Sequence, residues 1–320
     1  MDLNWAILLA GAFVGVVVGM TGMGGGALMT PMLVFFFGVN PLAAVSSDLV
    51  VSLFMKPVGG LVHLRRGTVD RRLVGWLCVG SVPAAFAGVL LLRAAGSSGA
   101  NLDSVVRVAL GVALLLAVAT MVTKAVLALR RHGRVLRSGP QQSGPAAPMM
   151  VRPLATVLVG VLGGFVVGMT SVGSGSLIIV LLLVLYPRLR AAQLVGTDLV
   201  QAVPLVGSAA LGHMLFGRVE LGLTASLLLG AVPGVWVGAQ LSSRAPQMLV
   251  RRVLALVLLA SGLKLVGVPT GAVAVLLLTA AAFGPVAWMA ARRAVGLPAL
   301  WRVERAQERH GLSSTTGRAA

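Results

Sequence analysis

Charge is scarce in this chain, and acid scarcer still. Of 320 residues only 11% are charged, and only 8 are Asp or Glu. A soluble domain carries roughly 25% charged residues. Here 58% are hydrophobic and mean hydropathy is +0.98. Surface-to-volume scaling limits how much apolar surface a soluble globule of this size hides. The composition therefore excludes an ordinary soluble enzyme and a disordered chain. The lone cysteine, Cys78, has no partner for an internal disulfide, which excludes a disulfide scaffold; it lies in an apolar run and reads as a small buried hydrophobe. Four His residues stand apart, with no Cys/His cluster, no Walker motif and no nucleophile triad. No metal, no cofactor, no catalytic residue and no ATP-driven pump are expected. Strict alternation of polar and apolar residues is missing as well, which excludes a transmembrane β-barrel. The opening MDLNW lacks a basic n-region, so no cleaved signal peptide is expected.

What remains is an all-α polytopic membrane protein. Apolar segments read at 5–38, 41–64, 73–92, 105–129, 153–186, 191–216, 221–241, 250–268 and 271–291. About 20 residues cross the hydrocarbon as a helix. Segments 5–38 and 153–186 are too long for one helix, and both are interrupted by glycine. The net charge of +18 sits between apolar runs, not in a patch interleaved with aromatics. It reads as cytoplasmic anchoring by the positive-inside rule and not as a nucleic-acid surface. Residues 130–152 carry five Arg, three Pro and no acid, the pattern of a flexible basic linker; 292–320 form a basic tail. All but three of the 26 basic residues are Arg, a bias of GC-rich bacterial genomes, which points to a bacterial plasma membrane.

The chain repeats itself. GMTGMGGGAL at 19–28 returns as GMTSVGSGSL at 168–177, and Ser46-Ser47-Asp48-Leu49-Val50 returns as Gly196-Thr197-Asp198-Leu199-Val200. His63 matches His213, Gly67 matches Gly217, Val82-Pro83 matches Val232-Pro233 and Gly88 matches Gly238. The offset is 149 at the first motif and 150 afterwards. The expected organisation is a first repeat (1–129), the linker (130–152), a second repeat (153–268), an extra transmembrane helix (269–291) and the tail. Duplication with glycine-interrupted segments at matching positions is the sequence signature of secondary transporters and points to their binding site.

The two halves are expected to be inverted. The turn 65–72 (RRGTVDRR) nets +3 while 38–41 is neutral; in the second half 186–190 carries +2 while 217–220 is neutral. Basic turns belong on the cytoplasmic side. Equivalent turns then face opposite sides, provided that 5–38 and 153–186 each enter and leave on one side with a glycine tip inside the membrane. The parallel alternative, four plain spans per half, places the 186–190 turn and the basic tail outside.

These motifs resemble the TauE/SafE sulfite exporter family of membrane transporters. The resemblance covers roughly residues 5–268: the glycine cluster followed by Pro31, the polar knots AVSSD and VGTD, the basic turn HLRRGTVD and the V-P-x-x-x-x-G segment. Asp48 and Asp198 depart from the family pattern, as does Val180, aligned with Pro31. The resemblance implies transport of a small sulfur-containing anion such as sulfite or an organosulfonate.

Candidate site residues fall in two groups. At the breaks, Gly22, Gly24, Gly25, Gly26, Gly173 and Gly175 bring backbone N–H groups close to a ligand. Thr21, Thr170, Ser171, Ser174 and Ser176 add hydroxyls, and a helix starting after a break offers unpaired N–H groups to an anion. In the polar knots, Asp48 and Asp198 are repeat-equivalent acids deep in apolar segments, so their expected role is proton coupling or helix capping. Ser46, Ser47, Thr197 and Gln201 would line the same site. Lys56 shares the Asp48 face and has no basic counterpart, Val206 aligning with it; it would pair with Asp48 or meet the anion. His63 and His213 read as interfacial packing, and Met20, Met23, Met29 and Met169 as flexible filling. A passive anion channel shares this site, and an intramembrane enzyme would need more grouped acids than the chain holds. The partners expected are the anion and the bilayer, with a homo-oligomer open and nucleic acid excluded.

Overall fold

The computed structural model describes residues 4–21, 25–97, 101–138, 151–187, 189, 191–241 and 247–294. The described residues form eleven α-helices and no strand: α1 (Trp5–Thr21), α2 (Gly26–Phe36), α3 (Pro41–Arg65), α4 (Arg71–Ser97), α5 (Leu102–Ser138), α6 (Pro153–Thr170), α7 (Leu177–Leu185), α8 (Ala191–Phe216), α9 (Leu221–Leu241), α10 (Gln247–Leu265) and α11 (Thr270–Ala294). Seven of them are long and apolar enough to cross a membrane. The outward faces of the helices carry Phe13, Phe36, Trp76, Trp236 and Phe283, the surface a bilayer covers. α5 runs on to Ser138, so the basic linker begins as helix; 139–150 and 295–320 lie outside the described residues.

Both long segments are broken where the glycines stand. α1 spans about 26 Å and α2 about 17 Å at 1.5 Å per residue, each less than the roughly 30 Å of hydrocarbon. In the second half α7 folds back along α6: the Tyr186 hydroxyl at its end sits 2.6 Å from that of Thr156 and accepts the Arg152 N–H at 2.8 Å, both at the start of α6. The α6–break–α7 element therefore begins and ends on one side. Local chemistry sets the other helix starts. Asn40 accepts from the N–H groups of Leu42 and Ala43 to open α3, with Pro41 in its first turn; Asp70 accepts from Arg72 and Leu73 to open α4.

Glycine then sets how closely the helices approach. A Cβ at Gly11, Gly15 or Gly19 of α1 would lie 3.1, 2.4 and 2.3 Å from the carbonyl oxygens of Leu227, Ala231 and Val235 on α9. Gly160, Gly164 and Gly168 of α6 meet the carbonyls of Leu77, Ser81 and Ala85 on α4 in the same way, at 2.4, 2.3 and 2.1 Å. Residue numbers climb together in both contacts, so α1 runs parallel to α9 and α6 parallel to α4. α3 and α8 run oppositely: Ser46 bonds His213, Gly60 lies against Leu199, and Gly196 lies against His63. α5 and α10 also pack together, Gly111 against Gly262 and Leu265.

Three apolar clusters fill the interior. One joins α3, α4, α6, α7 and α8; a second joins α1, α2, α3 and α9; a third lies between α5 and α10 and is capped by Val172 of the second break. α11 packs on α10 and leaves Leu278, Phe283 and Val286 exposed.

Candidate functional site

The two glycine breaks meet. A Cβ on Gly26, the first residue of α2, would lie 2.1 Å from the Ser171 carbonyl oxygen, so only hydrogen fits between the strands of backbone. Ser171 caps α6 in the left-handed conformation (φ 60), and Gly173 sits at φ +120. These two residues turn the chain from α6 into α7. Ser171, Gly173, Ser174, Gly175 and Ser176 line a small cleft closed by Ala27 of α2 and by Ala117 and Met121 of α5. Ser176 gives α7 no side-chain cap; the Gly173 carbonyl accepts the N–H groups of Ser176 and Leu177 instead.

Two polar networks flank this junction. The first is centred on Asp48, fully buried in α3. Its Oδ2 accepts from the Ser171 hydroxyl at 2.6 Å and from the Thr30 hydroxyl of α2 at 3.0 Å. One carboxylate oxygen thus ties three elements together. Its Oδ1 is buried with no hydrogen-bond partner. Lys56, two turns on and buried, donates to Ser174 of the second break. It remains within electrostatic reach of both Asp48 and Asp198.

The second network is centred on Asp198 of α8, also buried. Its Oδ1 accepts from the Gln201 side-chain N–H at 3.2 Å, and the Gln201 carbonyl oxygen accepts from the Ser81 hydroxyl of α4 at 3.3 Å. The α3–α8 register puts Asp198 level with residue 61 of α3. The two carboxylates therefore stand about 13 residues, or about 20 Å, apart along the bundle, with Lys56 between them. Asp48 and Asp198 both lie two turns inside their helices, and neither caps one.

The remaining candidates divide. Ser171, Ser174, Gly25, Gly26, Gly173, Gly175 and Lys56 gather at the junction. Gly22 and Gly24, with Met23, lie outside the described residues. Thr21 and Thr170 turn their hydroxyls back to their own helices, bonding the carbonyls of Val17 and Val166. Ser46 and Thr197 brace helix ends: Ser46 bonds Leu42 and His213, and Thr197 accepts the Asp70 N–H at 3.1 Å. Ser47 is buried with its hydroxyl unpartnered. His213 is more than packing, since its ring links Ser46 of α3 to the Gly168 carbonyl of α6 at 2.8 and 2.9 Å; His63 bonds Thr68 locally. Sequence reasoning missed Thr30, Ser52 and Ser81. Each is a hydroxyl in an apolar run, and their one signal was proximity to Pro31, Asp48 and Pro83.

No group of three or more His, Cys, Asp or Glu side chains comes together among the described residues. The arrangement supplies instead a mid-bundle cation, hydroxyl and backbone donors, and two buried carboxylates at different depths.

Comparison with known proteins agrees with this architecture. The sulfite exporter TauE/SafE family matches residues 7–265. The chain is 38% identical over 261 residues to the probable membrane transporter protein YjnA of Bacillus subtilis, covering 82% of this chain and 99% of that one. It is 24% identical over 248 residues to the probable membrane transporter protein YunE of the same organism (74% and 86%), and 25% identical over 260 residues to the probable membrane transporter protein YdhB (81% and 98%). No solved structure matches. The chain is a multi-pass membrane transporter, and it belongs to the TauE/SafE sulfite exporter family.

Proposed function

We propose that this protein is a proton-linked secondary transporter of a small sulfur-containing anion, such as sulfite or an organosulfonate, and not an enzyme. The observation that carries the reading is the junction of the two breaks beside Lys56: a buried ammonium donates to Ser174, and Ser174 with Ser171, Gly173, Gly175 and Ser176 lines one cleft. Desolvating an anion costs several kcal/mol. Each hydrogen bond to a charged group returns about 1.5–3 kcal/mol, so four to six donors offset that cost. An oxyanion of one or two charges suits a single cation surrounded by neutral donors.

The same proposal includes the organisation of the chain as two inverted repeats, 1–129 and 153–268, bridged by the 130–152 linker and followed by an extra helix. Several contacts support it. The α1–α9 glycine contacts have the α6–α4 contacts as their repeat images, residue for residue. Repeat-equivalent α3 and α8 run antiparallel, as two halves related by an axis in the membrane plane must. With α1 parallel to α9, and hence to α3, the basic turns 65–72 and 186–190, the linker and the end of α11 all fall on one side, in keeping with the positive-inside rule. Lys56 then lies close to the axis, where a site serves both sides of the membrane in turn. Asp198 is the group proposed to carry the proton: it is buried, its carboxylate accepts from Gln201, and Lys56 lies within electrostatic reach of it.

The test is uptake of radiolabelled sulfite, thiosulfate and an organosulfonate into proteoliposomes, with and without an imposed pH gradient. The reading expects one of these anions to accumulate, faster with the gradient. Equal, gradient-independent rates for all three, or none above empty liposomes, would defeat it.

A further inference from the structure

The two carboxylates are repeat-equivalent, yet their surroundings are not. Asp48 has Thr30 and Ser171 on Oδ2 and Ser52 one turn away; the residues aligned with these in sequence are Ile179, Gly22 and Ala202, none with a hydroxyl. The Thr30 and Ser171 hydrogens are directed to Oδ2, leaving Oδ1 fully buried with no hydrogen-bond partner. Oδ1 faces a space. The point where Gly25 would carry a Cβ lies 3.5 Å from Asp48 Oδ1 and 3.5 Å from Ser52 Oγ, with the Met55 methyl next at 3.8 Å. Two oxygens from one helix face therefore converge on a gap that exists because residue 25 is glycine. The nearest ammonium, Lys56, is bonded to Ser174 instead.

A buried carboxylate oxygen with no hydrogen-bond partner is costly unless a proton or a cation joins it. A proton would tie Oδ1 to Ser52 Oγ alone, whereas a small hard cation draws on both oxygens at once and accepts further oxygen ligands. We propose that Asp48 Oδ1 and Ser52 Oγ are protein ligands of a sodium ion at the junction of the breaks, with Thr30 and Ser171 positioning the carboxylate. The remaining coordination positions fall to water, to main-chain carbonyls or to the transported anion. Because the same break carries the anion cleft, the two ions attract each other, and each raises the other's affinity by the same factor. The inference rests on the transporter reading for its role, but the site stands on its own geometry. It divides the labour of the two acids: Asp48 for sodium, Asp198 for the proton.

The experiment is binding of radioactive sodium to the purified full-length protein in nanodiscs by scintillation proximity, with choline replacing sodium at constant ionic strength and no organic anion present. Wild type is expected to bind saturably. Asp48→Asn should lose at least 10-fold in affinity, Ser52→Ala and Thr30→Val several-fold, while Thr279→Val on α11 should bind as wild type. Thermal melts identify any variant that is misfolded; should Asp48→Asn be one, Ser52→Ala decides. Absence of saturable sodium binding by wild type at both pH 6 and pH 8 would overturn the site. So would binding lost in Asp198→Asn and kept in Asp48→Asn. Because the assay needs no anion, sodium binding without any anion flux would sink the proposed function and leave this site standing.

Discussion

Adding a single methyl at Gly26 or at its neighbour Gly25 separates packing from ligand binding. At Gly26 the new Cβ would lie 2.1 Å from the Ser171 carbonyl oxygen and 2.7 Å from its carbonyl carbon. Both are backbone atoms, so no rotamer change relieves the clash. An ordinary contact of about 3.5 Å requires the breaks to separate by more than an ångström, pulling Ser171 off Asp48. Overpacking of a close-packed interior costs about 1–3 kcal/mol, and loss of a charge-assisted hydrogen bond adds about 1.5–3 kcal/mol. Gly26→Ala should therefore lose about 2–5 kcal/mol of stability. At Gly25 the Cβ meets only side-chain atoms at 3.5 Å or more, so Gly25→Ala should melt within about 0.5 kcal/mol of wild type, the spread of substitutions that create no clash. It nonetheless occupies the gap before Asp48 Oδ1 and should weaken ion binding. The assay is reversible unfolding in mixed micelles, read by tryptophan fluorescence, with flux measured on the same preparations. Gly26→Ala unfolding with wild-type stability would refute the junction of the breaks. Gly25→Ala destabilised as much as Gly26→Ala would refute the distinction between them.

Other outcomes follow from the same geometry. Lys56→Met should lower apparent anion affinity at least 10-fold, in line with about 1.5–3 kcal/mol for a charged hydrogen bond, without preventing membrane insertion; unchanged affinity in a flux titration would remove Lys56 from the site. Asp198→Asn should abolish acceleration by a pH gradient, and its survival in that variant would free Asp198 of the proton role. Ser171→Gly keeps the left-handed turn at φ 60 and loses the bond to Asp48, whereas Ser171→Ala loses the bond and retains the strain; Ser171→Ala should be the less stable by about 1 kcal/mol, measured by the same unfolding assay. Cysteines at Thr68 and at Gly217, in a Cys78→Ser background, should label from opposite faces of the membrane, and labelling from one face would contradict inversion.

Much of this was legible in the sequence because the signals were strong and one-dimensional. Continuous apolar runs gave the helices, and GMTGMGGG and GMTSVGSG gave the breaks, since no α-helix accommodates a run of Gly at membrane depth without help from its surroundings. What was not legible depends on which helix faces which. Ser46 and Thr197 look like site hydroxyls beside an acid, yet α3 and α8 pack so that they brace helix ends. Thr30 and Ser81 look like isolated hydroxyls, yet packing brings one to Asp48 and the other to Gln201. The two acids suggested one symmetric pair; antiparallel packing of their helices sets them about 20 Å apart and gives them different neighbours. Thr21 and Thr170 each return a hydroxyl to a carbonyl of their own helix, a local effect that motif spacing does not announce.

The central claim is that this protein carries its anion by alternating exposure of one site and not by opening a pore. Counterflow tests it most directly. Proteoliposomes loaded with unlabelled sulfite, at millimolar concentration, are diluted into trace labelled sulfite with all ion gradients collapsed. An alternating carrier returns labelled anion on the sites emptied by the unlabelled pool, so internal label should rise transiently above its equilibrium level and then decay. A monotonic approach to equilibrium, with no overshoot under conditions where uptake itself is demonstrable, would contradict the account and leave a passive channel.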